Sequence, residues 1–289
     1  MLYWNEYNGH KPEIHGRKKK FDNTIYSFDI ETTSYIIHQG IIYQADKYQE
    51  LDKKEQETAI YGSCMYIWQF SINDTVYYGR TWQELEEFIQ RLEKAVPVKK
   101  IIFIHNLQFE FQYLKSYFKF SEVIARKSHK VMKAQMKDYN IELRCSYMMS
   151  NVALKKLPEI FNLPVEKMVG DLDYTKLRTP LTPLDDKELK YCENDCLVVY
   201  YYIKYELTMY DSVDRLPLTS TGHVRRELKS QTARDWKYRR IVGRAVNTNP
   251  HIYNLLIEAF MGGYTHANWL YTDEIVRCVD SWDFTSSYP

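Results

Sequence analysis

Two carboxylates, Asp29 and Glu31, stand two residues apart at the end of the run Tyr26-Ser27-Phe28-Asp29-Ile30. The run reads as a β-strand, and alternation along a strand puts both side chains on one face. Acidic residues are poor strand formers. Like charges this close also raise each other's pKa unless a cation neutralises them. Two arrangements tolerate the pair: a strand end that leaves both acids in water, or a sheet that gathers them around a cation. A hard divalent metal, which takes carboxylate oxygens as ligands, meets the second requirement.

The surrounding pattern is that of an α/β chain. Residues 60–72 and 74–79 read as strands joined by a turn at Asn73-Asp74. Residues 81–95 read as a helix, with Thr81 as N-cap and Glu84 completing a capping box. Lys100 to Ile104 is a short apolar strand, and Asn106 is placed to cap the helix that follows. Leu107, Phe111, Leu114 and Phe118 recur at helical spacing as a core stripe. Residues 130–148 read as a hairpin turning at Asp138–Asn140, and 153–162 and 183–209 as helices. This order predicts a mixed sheet flanked by helices. Residues 1–24 read as a polar, irregular segment whose run Arg17-Lys18-Lys19-Lys20 is either a solvated charge run, the commoner case, or a phosphate contact. Thr219-Ser220-Thr221-Gly222 marks a junction, and a basic helix follows from about His223 to Arg240. The expected domains are 25–212, and 213–289 beyond it.

Composition narrows the partners. A chain of 289 residues that is 45% hydrophobic can bury a core of one large or two modest domains. Its net charge of +1 gives no argument for nucleic acid, so any basic surface must be local. The 26 tyrosines suit half-buried sheet faces and base stacking alike. Five cysteines, an odd number without a Cys-x-x-Cys pair, point to neither a disulfide framework nor a zinc site. Cys192 and Cys196 read as small buried hydrophobes on a helix. Met1 to His10 carries no apolar signal segment, and no long apolar run occurs. A soluble protein of a reducing cytosol, away from membranes, is expected.

Two further acids sit in telling contexts. Glu110 closes His105-Asn106-Leu107-Gln108-Phe109-Glu110, where a strand gives way to a helix. An acid there also favours the helix dipole, which is a sufficient structural reason for it. Asp195 closes Tyr191-Cys192-Glu193-Asn194-Asp195 on the helix that Thr182-Pro183-Leu184-Asp185 begins. Tyr191 and Asp195 are one turn apart and share a face, close to the apolar stripe of Cys192, Cys196, Val199 and Ile203. An aspartate beside that stripe wants a partner, either a metal or the tyrosine itself.

In this order the three segments resemble the three exonuclease motifs of proofreading DNA polymerases. Further segments narrow the resemblance to the protein-primed branch of family B: Leu154-Lys155-Lys156-Leu157-Pro158, and Gly170-Asp171-Leu172-Asp173-Tyr174-Thr175-Lys176. Phe260-Met261-Gly262-Gly263 is similar to the branch's Tyr-x-Gly-Gly motif, and Asp283-Phe284-Thr285-Ser286-Ser287-Tyr288-Pro289 to polymerase motif A. The sequence departs from the family pattern at Glu110, where aspartate is commonest, and at Ala153, where a hydroxyl residue precedes the leucine. It departs again at Phe260 and Ser287, in place of a tyrosine and a leucine.

The resemblance implies a ribonuclease-H-like 3′–5′ exonuclease domain followed by the incomplete start of a polymerase palm. It implies two divalent ions, Mg2+ or Mn2+, about 3.5–4 Å apart. Asp29 would bridge them, Glu31 and Asp195 would complete one site, and Glu110 would serve the other. Tyr191 would orient the attacking water and Lys176 would offset charge on the scissile phosphate. Thr32, Asn106, Phe109 and Leu154 would hold the terminal nucleotides, and His105 would contact DNA or a terminal priming protein. Gly262 and Gly263 would touch DNA, and Asp283 would bind a polymerase metal. The implied partners are single-stranded 3′ ends and primer-template DNA, bound by a monomer. Because the chain stops after motif A, a polymerase fragment that does not polymerise by itself is expected. A strand-positioning module with a degenerate metal site is the alternative.

Overall fold

The computed structural model describes residues 1–17, 20–44, 52–165, 172–173, 176–232, 235–246 and 249–259. The chain divides into two compact units, Met1–Arg225 and Arg226–Pro289. Gly262, Gly263 and Asp283 lie outside the described residues, as do the Phe260–Gly263 and Asp283–Pro289 segments and part of the Arg17–Lys20 run.

In chain order the elements are β1 (Leu2–Tyr3), β2 (Ile14–His15), β3 (Phe21–Asp22), β4 (Tyr26–His38), β5 (Ile41–Gln44), α1 (Lys53–Thr58), β6 (Ile60–Ile72), β7 (Thr75–Gly79), α2 (Trp82–Ala95), β8 (Lys100–Ile104), α3 (Leu107–Leu114), β9 (Phe120–Ala125), β10 (Val131–Met136), β11 (Ile141–Cys145), α4 (Ser146–Ser150), α5 (Leu157–Ile160), α6 (Asp186–Glu206), α7 (Ser220–Thr232), α8 (Trp236–Val246) and α9 (Pro250–Ala259). Nine strands form one mixed sheet in the order β1-β7-β6-β4-β8-β11-β10-β9, with β5 paired to β4. β4 and β6 pair antiparallel from Tyr26 opposite Ile72 to Ile37 opposite Ile60. β8 runs parallel to both β4 and β11.

The middle of the sheet is buried on both faces, and β8 shows how. Ile102 and Ile104 pack with Phe28, Ile30, Leu85, Phe88 and Leu107, so one face is covered by α2 and α3. Ile101 and Phe103 pack with Val198, Val199, Tyr202 and Ile203, so α6 covers the other. This is the mixed sheet flanked by helices that the order of elements predicts, and it shows why β8 is apolar from Ile101 to Ile104.

Several local expectations hold. Thr81 caps α2 and exchanges hydrogen bonds with Glu84. Asn73 takes a positive φ of 53° in the turn between β6 and β7, a conformation asparagine tolerates. Cys192 and Cys196 are fully buried free thiols. Among the described residues no helix is long and apolar enough to cross a membrane.

Others are corrected. β4 continues to His38 through Thr32-Thr33-Ser34-Tyr35-Ile36-Ile37, so Asp29 and Glu31 stand inside a strand and not at its end. The β-branched and aromatic content of that stretch favours the extension. The segment 1–24 is not irregular throughout. Leu2–Tyr3 adds a parallel strand to β7, and Trp4 and Tyr7 are buried in the core. Sparse aromatics in a polar segment are enough to dock it. α3 stops at Leu114, and β9 then pairs with β10, turning the predicted hairpin into three strands. α6 is capped by Asp185, not Thr182, through a reciprocal capping box with Glu188. The predicted helix at 153–162 is a 3-10 turn, Leu154–Lys156, followed by α5. The basic helix from His223 is two helices, α7 and α8, and Asp235 accepts a hydrogen bond from the Lys237 backbone at the start of the second.

Candidate metal centre

Asp29 and Glu31 lie on the α6 face of β4. Their neighbour Ser27, in phase with them along the strand, donates its hydroxyl to the Cys196 carbonyl of α6 at 2.9 Å. α6 brings Asp195 to the same place. One carboxylate oxygen from each of Asp29, Glu31 and Asp195 lies within 4.8 Å of the other two. Glu110 arrives from α3, beyond the end of β8, and is buried to 3% exposure. It shares a hydrogen bond with Asp29, and its Oε2 has no hydrogen-bond partner among the described residues.

The electrostatics match that crowding. Burial pushes Asp29 up to about 6, although hydrogen bonds involving Glu110, Ile30 and Gln69 pull the other way. Burial, and then the charge of Asp29, pushes Asp195 up to about 8, although a hydrogen bond from Tyr191 lowers it. Burial followed by the charges of Asp29 and Asp195 raises Glu31 well above the usual carboxylate range. Glu110 is raised in the same sense by burial and by Asp29. Arg178 is the cation that lowers Glu31, but its guanidinium is already committed. It bonds Glu188 through Nε at 3.0 Å and the Asp173 carbonyl at 2.6 Å, and it lies 5.7 Å from the Tyr66 ring centre.

Four buried or half-buried acids therefore face one another without matching positive charge among the described residues. An all-oxygen donor set of this kind, with an orphaned oxygen on Glu110, fits hard divalent cations. Asp29, Glu31 and Asp195 would hold one ion, and Asp29 with Glu110 a second. The donors include no soft ligand: Cys192 and Cys196 stand nearby, but burial raises both thiols, Cys192 to beyond the range in which a thiolate forms.

The remaining candidates fall into three groups. Tyr191 hydrogen-bonds Asp195 and so belongs to the cluster. His105, Asn106 and Leu154 line a cleft of about 400 Å3 together with Lys130 and Tyr147. His105 is buried, which pushes it down to about 4, and its Nδ1 lies 3.1 Å from the Ser146 hydroxyl. Cys145, in the wall of this cleft, feels the charge of Glu110, so cleft and acids are neighbours. The others are more loosely placed. Phe109 is 40% exposed on α3, against Tyr113. Thr32 is half-buried on β4, and the Lys176 side chain is exposed, its charge felt by Asp185. The Lys176 carbonyl lies 3.5 Å from the hydroxyl of Thr33 on β4, which brings this loop to the strand of the acids.

Two residues of the site escape a reading of the sequence. Gln69 Nε2 donates to Asp29 at 2.9 Å from the middle of β6. Its signal was present: a lone amide inside the apolar run Met65-Tyr66-Ile67-Trp68-Gln69-Phe70. Arg178 carried no local signal, because its role depends on a loop returning to β4, where its backbone N–H meets the Thr33 hydroxyl at 3.3 Å.

No protein-family model matches the sequence, and no curated protein matches it. In fold the chain is similar to Phi29 DNA polymerase complexed with primer-template DNA and incoming nucleotide substrates. The TM-score is 0.59 and the identity 16%, over 88% of this chain and 41% of that one. It is similar to the binary complex of Phi29 DNA polymerase with primer-template DNA at TM-score 0.58 and 16% identity, over 87% of this chain and 42% of that one. The chain thus spans about two fifths of the length of these structures, and the likeness is one of fold.

Proposed function

We propose that the first unit is a 3′–5′ exonuclease that removes the terminal nucleotide from single-stranded or frayed DNA, within a protein-primed family B DNA polymerase. The observation that carries this reading is the cluster of Asp29, Glu31, Asp195 and Glu110, uncompensated among the described residues. The fold shared with a polymerase described in complex with primer-template DNA supports DNA as the substrate. In this reading the domain is ribonuclease-H-like, residues 25–212 form its main part with the N-terminal strand added to its sheet, and Gly262, Gly263 and Asp283 serve the start of the polymerase module.

The reaction is a hydrolysis. A water oxygen bonds to the terminal phosphorus, the bond from phosphorus to the 3′ oxygen breaks, and a nucleoside 5′-monophosphate leaves a strand one residue shorter. Divalent ions, when bound, would supply acidity to the water and stabilise charge on the leaving oxygen. Asp29, Glu31, Asp195 and Glu110 would hold those ions. The Tyr191 hydroxyl, bonded to Asp195, orients the water, and Gln69 fixes the Asp29 carboxylate. His105, Asn106 and Leu154 line the cleft that receives the strand. His105 is held neutral by burial, so it serves as a hydrogen-bonding group and not as a cation. Phe109 offers an exposed ring to a base, Thr32 a half-buried hydroxyl on β4, and Lys176 a cation from its loop.

The test is incubation of the purified chain with a 5′-labelled single strand, in magnesium and in chelator. Shortening from the 3′ end only with metal is the expected result. Binding without shortening would replace hydrolysis with the strand-positioning reading, in which Glu110 lies too deep to complete the second metal site.

A further inference from the structure

We infer that α8 is a binding surface for single-stranded nucleic acid, seating phosphates on Lys237, Arg239 and Arg240 and a base on the Trp236 ring. The helix lies in the second unit, outside the carboxylate cluster, and the inference holds whether or not that cluster hydrolyses DNA. Between His223 and Arg244 the sequence carries eight Lys or Arg and two Asp or Glu, in a chain whose net charge is +1. The rest of the chain is therefore net negative and repels a polyanion, so long-range attraction has to come from this segment.

Its side chains are arranged for the purpose. Lys237, Arg239 and Arg240 are exposed, and among the described residues none of them is paired with a carboxylate. Asp235, the acid nearest in sequence, is engaged at the helix start by the backbone N–H groups of Lys237 and Tyr238. Trp236 is 59% exposed and Tyr238 40%. Leaving an indole in water is unfavourable unless something covers it. The Arg240 guanidinium lies over the Trp236 ring, 5.4 Å from its centre, so one ring face carries a cation and a base would stack on the other. Aromatic faces interleaved with phosphate-binding cations are the combination by which single strands are bound without regard to sequence. An acidic protein would use the cations and leave the indole without a planar partner, and a membrane surface would use both with no preference for an oligonucleotide.

The measurement is binding of a short 5′-labelled oligothymidylate by fluorescence anisotropy, in chelator, as a function of salt. Hydrolysis cannot contribute there, so failure of the exonuclease reading and failure of this one are distinguishable. Substituting Lys237→Gln, Arg239→Gln and Arg240→Gln together should flatten the slope of log affinity against log salt by about 2, at about 0.7 per phosphate. Trp236→Ala should weaken binding about tenfold and leave the slope unchanged. It removes an exposed side chain, so it also serves if the triple variant loses its fold. Unchanged affinity and slope in folded variants would overturn the inference. So would binding to phosphatidylserine vesicles without binding to the oligonucleotide.

Discussion

At the residue scale the protein is organised by four acids that it keeps close together at a cost. Asp195→Ala should abolish metal-dependent hydrolysis, by on the order of a thousandfold or more if several kcal/mol of transition-state stabilisation are lost. Oligonucleotide binding in chelator should persist. The same variant should melt at a higher temperature than the parent when both are metal-free, because it deletes one member of a repelling set. The pH dependence has a defined sign. Asp29 and Asp195 are raised from the ordinary carboxylate value to about 6 and about 8. Between that ordinary value and the raised one, the folded state binds more protons than the unfolded chain. Metal-free stability should therefore fall as pH rises from about 4 to about 8. Thermal melting across that range, with and without magnesium, checks it: bound metal should flatten the decline. A stability that rises with pH through this window in chelator would contradict the arrangement. The acids themselves were legible in the sequence from their local contexts. Gln69 was visible as an anomaly without an assigned role, and Arg178 was not visible.

At the element scale, local signals succeeded wherever the physics is local. The capping box at Thr81 depends on atoms within one turn, and Thr81→Ala should destabilise the protein by about 1 kcal/mol in urea denaturation. The failures have physical causes too. Leu107, Phe111, Leu114 and Phe118 fit a helical stripe, but Phe118 reaches the core from the turn after α3 and not from the helix. A short apolar period cannot distinguish these. β9 was missed because its face is largely exposed and carries no alternation. Its place is set by β10, through pairing that a propensity scale does not see.

At the scale of the whole molecule, the first residues of the chain belong to the sheet. Tyr7 is buried against Tyr77 and Phe88, and its hydroxyl meets His10 Nδ1 at 2.9 Å. The other ring nitrogen of His10 meets the Tyr26 hydroxyl at 2.8 Å, on the strand that carries the acids. Tyr7→Ala should cost about 3 kcal/mol or more as a large-to-small core change, whereas a free polar tail would lose nothing. Chemical denaturation of the two proteins separates these outcomes. The likeness of fold to Phi29 DNA polymerase covers most of the chain at 16% identity, so what is shared is arrangement more than residues.

The sequence by itself determined the type of most elements, the apolar faces that sandwich β8, and the identity of the acids. Those are properties of spacing within one element, where side-chain direction follows from a helical or strand period. Only the tertiary structure decided that Asp29, Glu110 and Asp195, far apart in the chain, converge on one site. Convergence depends on the order and register of β4, β6 and β8 and on how α3 and α6 cross them. The same register placed Gln69 opposite Asp29 across the β4–β6 pair. The proton affinities follow in turn, because burial and mutual repulsion exist only once the elements have met.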